Sequence, residues 1–550
     1  MDTAVDSLMD KSKSFYSTLI PGVTVFFSSG CIMTLELVAG RLIAHHLGSS
    51  LYTWTSVIGV VLAGITIGNY LGGHIADRIA ARKTLAVLFW ICSVACVLVI
   101  VLNNLLAKWV WLWYFSWPLH VLAHASLLFL LPSTLLGMIS PVAAKMALDQ
   151  GFQTGRTVGD IYAWSAAGSI AGLLLAGFYL IAVIGTIAIV WIIAAALLLM
   201  AILFWAGLKV LYFWAAIFIA LIITVIIPTK LAANISETLA LKESHNPDIL
   251  YEDETQYCYV SIKRIFKRPD IRVFMQDKLI HSMMVTEDIN NLQYPYTRIY
   301  ADITHALSEN RKTLSVMIIG GGGYVYPGYV EKNWPGSHTD VVEIDPGVTK
   351  AAIQAFGLKS DAKINTITMD ARNYVNGLLQ KQYSGEKIPQ YDFIYEDAIN
   401  DYSVPYQLLT KEFNDRIFQI LTDNGVYMLA VIDIFDSGRF LGAVFNTLQQ
   451  TFRNVYILSQ TLPPNTRNTF VVVATKQQID IESIIKQHCR NIDIWYLDNT
   501  EINMLRKKSR NIVLTDDYAP VENMLAPVVR RSAPDILTER FGVRTRKIKR

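Results

Sequence analysis

The polarity of this 550-residue chain changes once, near residue 230, and that change constrains its fold more than any other feature. Long apolar runs alternate with short polar joints from residue 17 to about residue 228, whereas acids, bases and aromatic residues mix from residue 230 onward. A helix needs about 20 apolar residues to cross the hydrocarbon core of a bilayer. The sequence therefore predicts a bundle of transmembrane helices over residues 1–229, followed by globular domains.

Seven apolar runs in the first part are long enough to span a bilayer. They lie near residues 18–40, 53–76, 84–106, 118–142, 160–183, 185–205 and 209–228. The second and fifth runs carry small residues four positions apart, which share one helix face and let helix backbones approach closely. These residues are Gly64, Gly68 and Gly72, and Gly168, Gly172 and Ala176. We interpret both strips as helix-packing surfaces.

The globular part begins with a predicted linker helix at residues 231–243 and three short alternating runs at 259–266, 271–277 and 281–286. Short alternating runs separated by turns indicate a small antiparallel sheet. We assign the linker and this β domain to residues 230–290, and a C-terminal extension with a basic tail to residues 481–550. The tail residues are Arg544, Arg546, Lys547, Lys549 and Arg550. A solvated end is the favoured interpretation of this tail, and contact with anionic lipid is the alternative.

Strands and helices alternate between these two parts, over residues 291–480. The predicted strands are 315–321, 338–345, 365–371, 391–398 and 425–432, with a closing hairpin at 454–460 and 468–476. Nearly continuous apolar strands that alternate with helices indicate a parallel sheet covered on both faces. The pattern predicts an α/β domain with a Rossmann-like sheet.

The residues able to bind a ligand fall where these strands end, which is where such sheets bind their ligands. Four glycines follow the first strand and let the backbone approach a ligand closely: Gly320, Gly321, Gly322 and Gly323. Acids end the next three strands, and they are Glu343, Asp370 and Asp397, with Glu396 before and Asp401 after the last. Glycines combined with acids at three successive strand ends predict a nucleoside site.

The spacing of the glycines distinguishes between classes of nucleoside ligand. A dinucleotide site usually spaces its glycines as GxGxxG to admit a pyrophosphate, and the sequence GGGGYVYP at 320–327 lacks that spacing. An adenosine with a sulfonium tail fits better, because acids that line the site attract the cation. The sheet is therefore predicted to be of the methyltransferase type.

Composition excludes several other classes of ligand. The net charge is only +3, and no basic stripe alternates with aromatic residues, so we expect no nucleic-acid partner. The five cysteines show no metal-binding spacing, and three of them lie in apolar spans. We therefore predict neither a metal site nor a disulfide framework.

Four motifs at these positions resemble the spermidine synthase (polyamine aminopropyltransferase) family. They are IIGGGG at 318–323, VVEID at 341–345, MDAR at 369–372 and EDAINDYSVP at 396–405. The first half is similar to the membrane-integrated, fused versions of that family through LELVAGRL at 35–42 and GGHIADR at 72–78. The segment LTDDYAPVENMLAPV at 514–528 also matches those fused proteins, so the resemblance reaches nearly the full length.

This resemblance implies a polyamine-biosynthetic transferase in which an amine attacks the aminopropyl carbon beside the sulfonium of decarboxylated S-adenosylmethionine. The glycine loop and Glu343 would hold the donor's ribose, and Asp370 and Ala371 its adenine. Asp345 would be a further donor-binding residue. Asp397 and Asp401 match the acidic loop that supplies the general base, and the choice between them stays open. The amine substrate would contact Tyr257, Asp277, His281, Tyr294, Tyr296 and Glu396. A homodimer is a further expectation.

Three positions depart from the family pattern. Gly323 stands where the family commonly has an acid that binds the donor's terminal ammonium. Tyr257-Cys258 replaces a Tyr-Gln pair, and Tyr294-Pro295-Tyr296 replaces a Tyr-His-Glu motif. Without the acid, the site selects less strongly for the decarboxylated donor and repels a carboxylate less, so S-adenosylmethionine itself is an alternative donor.

We expect a multi-pass protein of the cell (inner) membrane whose catalytic domain is cytoplasmic, where nucleotide donors are found. The basic joint at 72–83 conflicts with that orientation, because basic loops are usually cytoplasmic. With seven spans, a cytoplasmic 72–83 joint puts the C-terminal domain outside. Either one span is miscounted or the loop charges do not report the orientation.

Three functions therefore remain open at this stage. The first is aminopropyl transfer to a polyamine such as putrescine. The second is transfer of a methyl or aminocarboxypropyl group from S-adenosylmethionine. The third is a transporter or sensor that binds polyamine without turnover.

Overall fold

The chain divides into two compact units, Met1–Asn246 and Pro247–Arg550, in a computed structural model. The structure describes residues 2–528 except residues 107–108, 110, 113–114, 152, 206, 208, 228, 243–245, 278, 309–310, 399–403, 461 and 490–492. Each unit is considered by itself below.

The first unit is a bundle of helices. In the described residues these are α1 (Asp2–Leu47), α2 (Leu51–Ala76), α3 (Ala81–Leu106), α4 (Trp117–Gly137), α5 (Ile139–Asp149), α6 (Thr154–Leu175), α7 (Ile181–Ile184), α8 (Thr186–Phe204), α9 (Lys209–Ile226) and α10 (Lys230–Thr238). Seven helical segments of the described chain are long and apolar enough to cross a membrane. Helices α4 and α5 form one such segment, and α6 and α7 form another through a short π-helical turn at Ala176–Leu180. The predicted number of apolar segments is therefore confirmed.

The two glycine strips are contact surfaces between helices, as predicted. A Cβ atom added to Gly68 of α2 would overlap the carbonyl oxygen of Thr134 in α4. A Cβ added to Gly172 of α6 would overlap the carbonyl oxygen of Gly30 in α1. Glycine is needed at these positions because the helix backbones approach too closely for any side chain.

The second unit begins with an antiparallel sheet of four strands. They are β1 (Ile249–Glu254), β2 (Tyr259–Lys267), β3 (Asp270–Gln276) and β4 (Leu279–Val285), paired in chain order. The last three match the predicted strands. The prediction missed β1 because its sequence, ILYEDE, does not alternate between apolar and polar residues.

The large sheet has eight strands in the described residues, in the order β12-β10-β11-β9-β8-β5-β6-β7. These are β5 (Ser315–Ile319), β6 (His338–Glu343), β7 (Asn365–Thr368), β8 (Tyr391–Glu396), β9 (Leu421–Ile434), β10 (Asn454–Gln460), β11 (Arg467–Thr475) and β12 (Ile494–Tyr496). Strands β5 to β9 run parallel, and β10 and β11 form the predicted hairpin. This topology confirms the Rossmann-like α/β fold.

Helices and apolar side chains cover both faces of this sheet. The helices are α11 (Pro295–Leu307), α12 (Val325–Asn333), α13 (Pro346–Ala355), α14 (Ala371–Tyr383), α15 (Lys411–Ile420), α16 (Arg439–Leu448), α17 (Ile481–His488) and α18 (Asn499–Lys508). One buried cluster includes Phe413, Phe440 and Leu505, and the other includes Ile299, Val348 and Ile481. Residues of the C-terminal extension thus contribute to both apolar layers.

The parallel strands are in register at their carboxyl ends. The amide of Gly320 donates to the carbonyl of Val342, and the amide of Asp397 donates to the carbonyl of Ile319. The amide of Met369 donates in the same way to Glu343. These bonds bring the residues that follow β5, β6, β7 and β8 to one edge of the sheet.

Candidate active site

The glycine loop after β5 follows a path that side chains would block. Gly320 has a φ of 92°, and a Cβ atom there would lie 2.6 Å from the carbonyl oxygen of Asp397. Gly323 has a φ of 75°, and its Cβ would lie 2.8 Å from the ring of Phe356. An acid at this position would therefore require a strained backbone and a shift of the Phe356 ring. Ser282 of β4 donates to the carbonyl of Gly322, so a residue of the small sheet helps to hold the glycine loop in place.

Glu343, at the end of β6, binds the glycine loop through its carboxylate. Its Oε2 accepts from the amide of Gly321 at 2.6 Å, and its Oε1 accepts from the amide of Asp345 at 2.9 Å. Burial raises the pKa of Glu343 to about 7, although both amide bonds lower it. A carboxylate held in this way can accept hydrogen bonds from ribose hydroxyls with little reorganisation.

Asp345 and Asp370 each cap the helix that follows their strand. Oδ1 of Asp345 accepts from the amide of Gly347 at 2.8 Å, and its Oδ2 accepts from the hydroxyl of Thr255 at 2.6 Å. Oδ1 of Asp370 accepts from the amide of Asn373 at 2.9 Å. Such caps satisfy amides at a helix start that would otherwise lack partners.

Asp397, directly after β8, is held by a buried tyrosine. Its Oδ2 accepts from the phenol of Tyr296 at 2.7 Å. The protein atoms around this half-buried carboxyl exclude water and raise its pKa to about 7, while the Tyr296 bond lowers it. The neighbouring Glu396 points elsewhere: it is buried, accepts from the phenol of Tyr427, and has a pKa raised by burial to about 8. Asp397 is thus suited to take a proton near neutral pH.

A cavity of about 470 Å³ brings the strand ends together. Nine of the residues predicted from the sequence line it: Tyr257, His281, Gly320, Gly322, Glu343, Asp345, Asp370, Ala371 and Asp397. Acids line this cavity, whereas no Lys or Arg is present among its described lining residues. An acidic lining favours a cationic ligand.

The other predicted residues have different positions. Gly321, Gly323, Asp277, Tyr294, Tyr296 and Glu396 are not among the described lining residues. Asp277 lies in the β3–β4 turn, where its carboxylate accepts from the amide of Tyr259 at 3.1 Å. Tyr294 donates to the carbonyl of Ile280 at 3.2 Å. Asp401 lies outside the described residues.

Two further lining residues are His281, which was predicted from the sequence, and Glu522, which was not. His281 has an Nε2 atom without a partner among the described residues, and burial with the charge of Arg467 lowers its pKa to about 4. Its imidazole is therefore neutral at pH 7. Glu522 also lines the cavity, and sequence reasoning missed its role. The signal was present, because Glu522 lies within the motif at 514–528.

A parallel sheet with a glycine loop after its first strand and acids after the next three defines an α/β domain of the Rossmann class, and this arrangement is typical of domains that bind nucleosides. Residues 295–483 match the family model of the spermine/spermidine synthase domain. Over these residues the chain is similar to the spermidine synthase family.

Three known proteins show the range of the similarity. A polyamine aminopropyltransferase of Vibrio vulnificus is 32% identical over 165 residues, which cover 30% of this chain and 50% of that protein. The eEF1A lysine and N-terminal methyltransferase of Mus musculus is 30% identical over 125 residues, covering 22% of this chain and 17% of that protein. A crystal structure of a probable spermidine synthase from Corynebacterium glutamicum aligns with a TM-score of 0.43 and 17% identity, covering 50% of this chain and 98% of that one. The chain thus spans half the length of its Vibrio relative.

Proposed function

We propose that this protein is a membrane-anchored transferase that moves an aminopropyl group from decarboxylated S-adenosylmethionine to a polyamine such as putrescine. One observation supports this most directly. The carboxyl of Asp397 lines the same cavity as the glycine loop and Glu343, and its pKa is about 7. The proposed base and the proposed nucleoside site thus share one acidic cavity. The family of residues 295–483 and the Vibrio relative agree with this activity.

The chemistry depends on the nucleophile more than on the leaving group. A sulfonium leaves readily, but an alkylamine with a pKa of about 10 is mostly protonated at neutral pH. In the proposed step the amine nitrogen forms a bond to the aminopropyl carbon while the carbon–sulfur bond breaks. Its electron pair goes to sulfur, which becomes a neutral thioether, and the amine's proton goes to Asp397. General bases of this kind supply about 10²–10⁴-fold.

Turnover of the full-length protein in detergent, with mass analysis of the product, tests the proposal. Decarboxylated S-adenosylmethionine and putrescine should yield spermidine, and Asp397→Asn should lower kcat by about 10²–10⁴-fold. Asp423→Asn, at an exposed acid of β9, is the matched control and should retain activity. Absence of product with every amine tested would overturn the proposal.

Methyl transfer from S-adenosylmethionine is the second candidate. It is supported by Gly323, where an acid beside the donor's tail would require a shift of the Phe356 ring. The similarity to a lysine and N-terminal methyltransferase agrees with it. An assay that offers both donors together distinguishes the two candidates. Methyl transfer requires that S-adenosylmethionine be consumed and that a methylated amine form.

We further propose that the seven apolar segments span the cell (inner) membrane and that the second unit is cytoplasmic. Two of the basic residues after α2 have local contacts that do not depend on orientation. Arg82 donates to the carbonyl of Phe204 at 2.9 Å, and the Lys83 ammonium lies 5.3 Å from the ring centroid of Trp205. Cations at the end of α8 stabilise its terminal carbonyls. Protease digestion of inside-out and right-side-out vesicles tests the orientation, and cleavage of the second unit from outside would contradict it.

The homodimer expected from the family resemblance is a separate proposal. Light scattering of the full-length protein in detergent tests it.

A further inference from the structure

Glu522 lines the cavity although it lies outside the matched domain, which ends at residue 483. The side chain is half-buried, and burial raises its pKa. Its carboxylate has no hydrogen-bond or ion-pair partner in the part of the chain that the structure describes. A side chain in this state is available to a ligand.

The segment that carries Glu522, residues 514–528, is attached firmly to the sheet. The amide of Lys411 donates to the carbonyl of Leu514 at 2.9 Å, and the amide of Leu514 donates to the hydroxyl of Thr447 at 2.8 Å. Five apolar side chains of the segment belong to the main buried cluster, and they are Leu514, Val521, Met524, Leu525 and Val528. The position of Glu522 is therefore set by the core and not by a free tail.

A salt bridge joins this segment to the start of α14. Arg372 pairs with the carboxylate of Asp516 through both terminal nitrogens, and its Nη1 also donates to the carbonyl of Gln407 at 2.8 Å. Arg372 directly follows Asp370 and Ala371, which line the cavity with Gln407 and Glu522. One guanidinium thus links the start of α14 to the backbone of Gln407 and to the segment that carries Glu522.

We propose that Glu522 is a donor-binding residue that accepts a hydrogen bond from the exocyclic amine of adenine. This inference rests on the proposed function. The cavity that Glu522 lines is also lined by Ala371, Val404 and Pro405, whose apolar side chains suit a flat, uncharged base. The exocyclic amine of adenine is a hydrogen-bond donor, and a half-buried carboxylate without a partner is a strong acceptor for it. The complete nucleoside site then includes residues 514–528 as well as the matched domain.

Calorimetry on the full-length protein in detergent tests this proposal with two neutral nucleosides. The first is 5′-methylthioadenosine, and the second is 5′-methylthioinosine, which carries an oxygen in place of the exocyclic amine. Glu522→Ala should weaken binding of methylthioadenosine by about tenfold, as for loss of a hydrogen bond to a charged group. The preference for methylthioadenosine over methylthioinosine should fall by a similar factor. Asp517→Ala, at an exposed acid of the same segment, should change neither.

The outcomes separate this proposal from the proposed function. If Glu522→Ala keeps both the affinity and the preference of the unaltered protein, Glu522 does not bind the donor, and the transferase proposal stands. If the unaltered protein binds neither nucleoside nor decarboxylated S-adenosylmethionine, the transferase proposal itself fails. Glu522→Gln, which keeps the volume and an acceptor oxygen, should lose less affinity than Glu522→Ala. Equal losses in both variants would indicate a packing effect and overturn the assignment.

Discussion

The phenolic oxygen of Tyr296 lies 2.7 Å from Oδ2 of Asp397 and joins the first turn of α11 to the end of β8. The bond favours the charged carboxylate and so lowers the pKa of Asp397, against the larger effect of burial. Tyr296→Phe should therefore raise that pKa and move the acid limb of the rate profile to higher pH. Tyr383→Phe, at a tyrosine that is 77% exposed, is the control. An unchanged acid limb in Tyr296→Phe would show that the hydrogen bond does not tune the base.

The rate of the unaltered enzyme should rise with pH through about 7. Asp397 and Glu343 both have a pKa of about 7, and in the proposed mechanism each acts as a carboxylate. Below that pH they are protonated, so kcat/KM for the donor should fall on the acid side. Bound sulfonium stabilises both carboxylates, and the acid limb of kcat should lie at lower pH than that of kcat/KM. Equal limbs, or rates independent of pH between about 5.5 and 8, would contradict this account.

Gly323→Ala should destabilise the second unit and weaken donor binding. The substitution combines a positive φ with a Cβ atom 2.8 Å from the ring of Phe356. We expect the free energy of unfolding to fall by about 2–3 kcal/mol. Gly385→Ala isolates the backbone effect, because Gly385 has a φ of 85° but open space around its Cβ position, and it should cost about 1 kcal/mol. Thermal unfolding of both variants measures the difference, and equal midpoints would rule out the steric effect.

Glu343→Gln should weaken the binding of 5′-methylthioadenosine by at least about tenfold. Both carboxylate oxygens accept amide protons from Gly321 and Asp345. A glutamine would direct its NH₂ group at one of these donors and misplace the glycine loop. Glu331→Gln, at a carboxylate that accepts from the amide of Lys363 away from the cavity, should leave nucleoside binding unchanged. Retained affinity in Glu343→Gln would remove Glu343 from the donor site.

Arg372→Ala and Asp516→Asn should each weaken methylthioadenosine binding, and the double variant should lose less than the sum of the two. Residues in one ion pair show such coupling energies, of about 0.5–3 kcal/mol. The reason is that the Arg372–Asp516 pair holds the segment that carries Glu522. Additive losses would mean that the two residues act independently.

The sequence predicted the strand ends well and the side-chain partners poorly. The apolar runs correctly predicted the strands from β5 to β11. The parallel topology brings Gly320, Glu343 and Asp397 to one edge of the sheet, as expected. Periodicity could not show that Tyr296 contacts Asp397 across 101 positions of the chain, because that contact depends on how α11 packs. The prediction for Tyr296 as a substrate contact stays untested.

Strands with unusual composition were also missed. The acidic β1 and the three-residue β12 are held by their neighbours β2 and β10, and tertiary pairing of this kind leaves little trace in a single sequence. Glu522 was missed because its motif was recognised only as a similarity, without a position relative to the sheet. Long-range contacts such as that between Arg372 and Asp516 supply that position.

The absence of Lys and Arg among the described residues that line the acidic cavity bears on how the reaction cycle ends. Under the proposed chemistry the donor enters as a sulfonium cation and leaves as an uncharged thioether. The product keeps its contacts to the ribose and adenine residues but loses the attraction between the carboxylates and the sulfonium charge, so the reaction itself weakens the binding of the nucleoside. Inhibition by the spent nucleoside should accordingly be weak compared with the affinity for the donor.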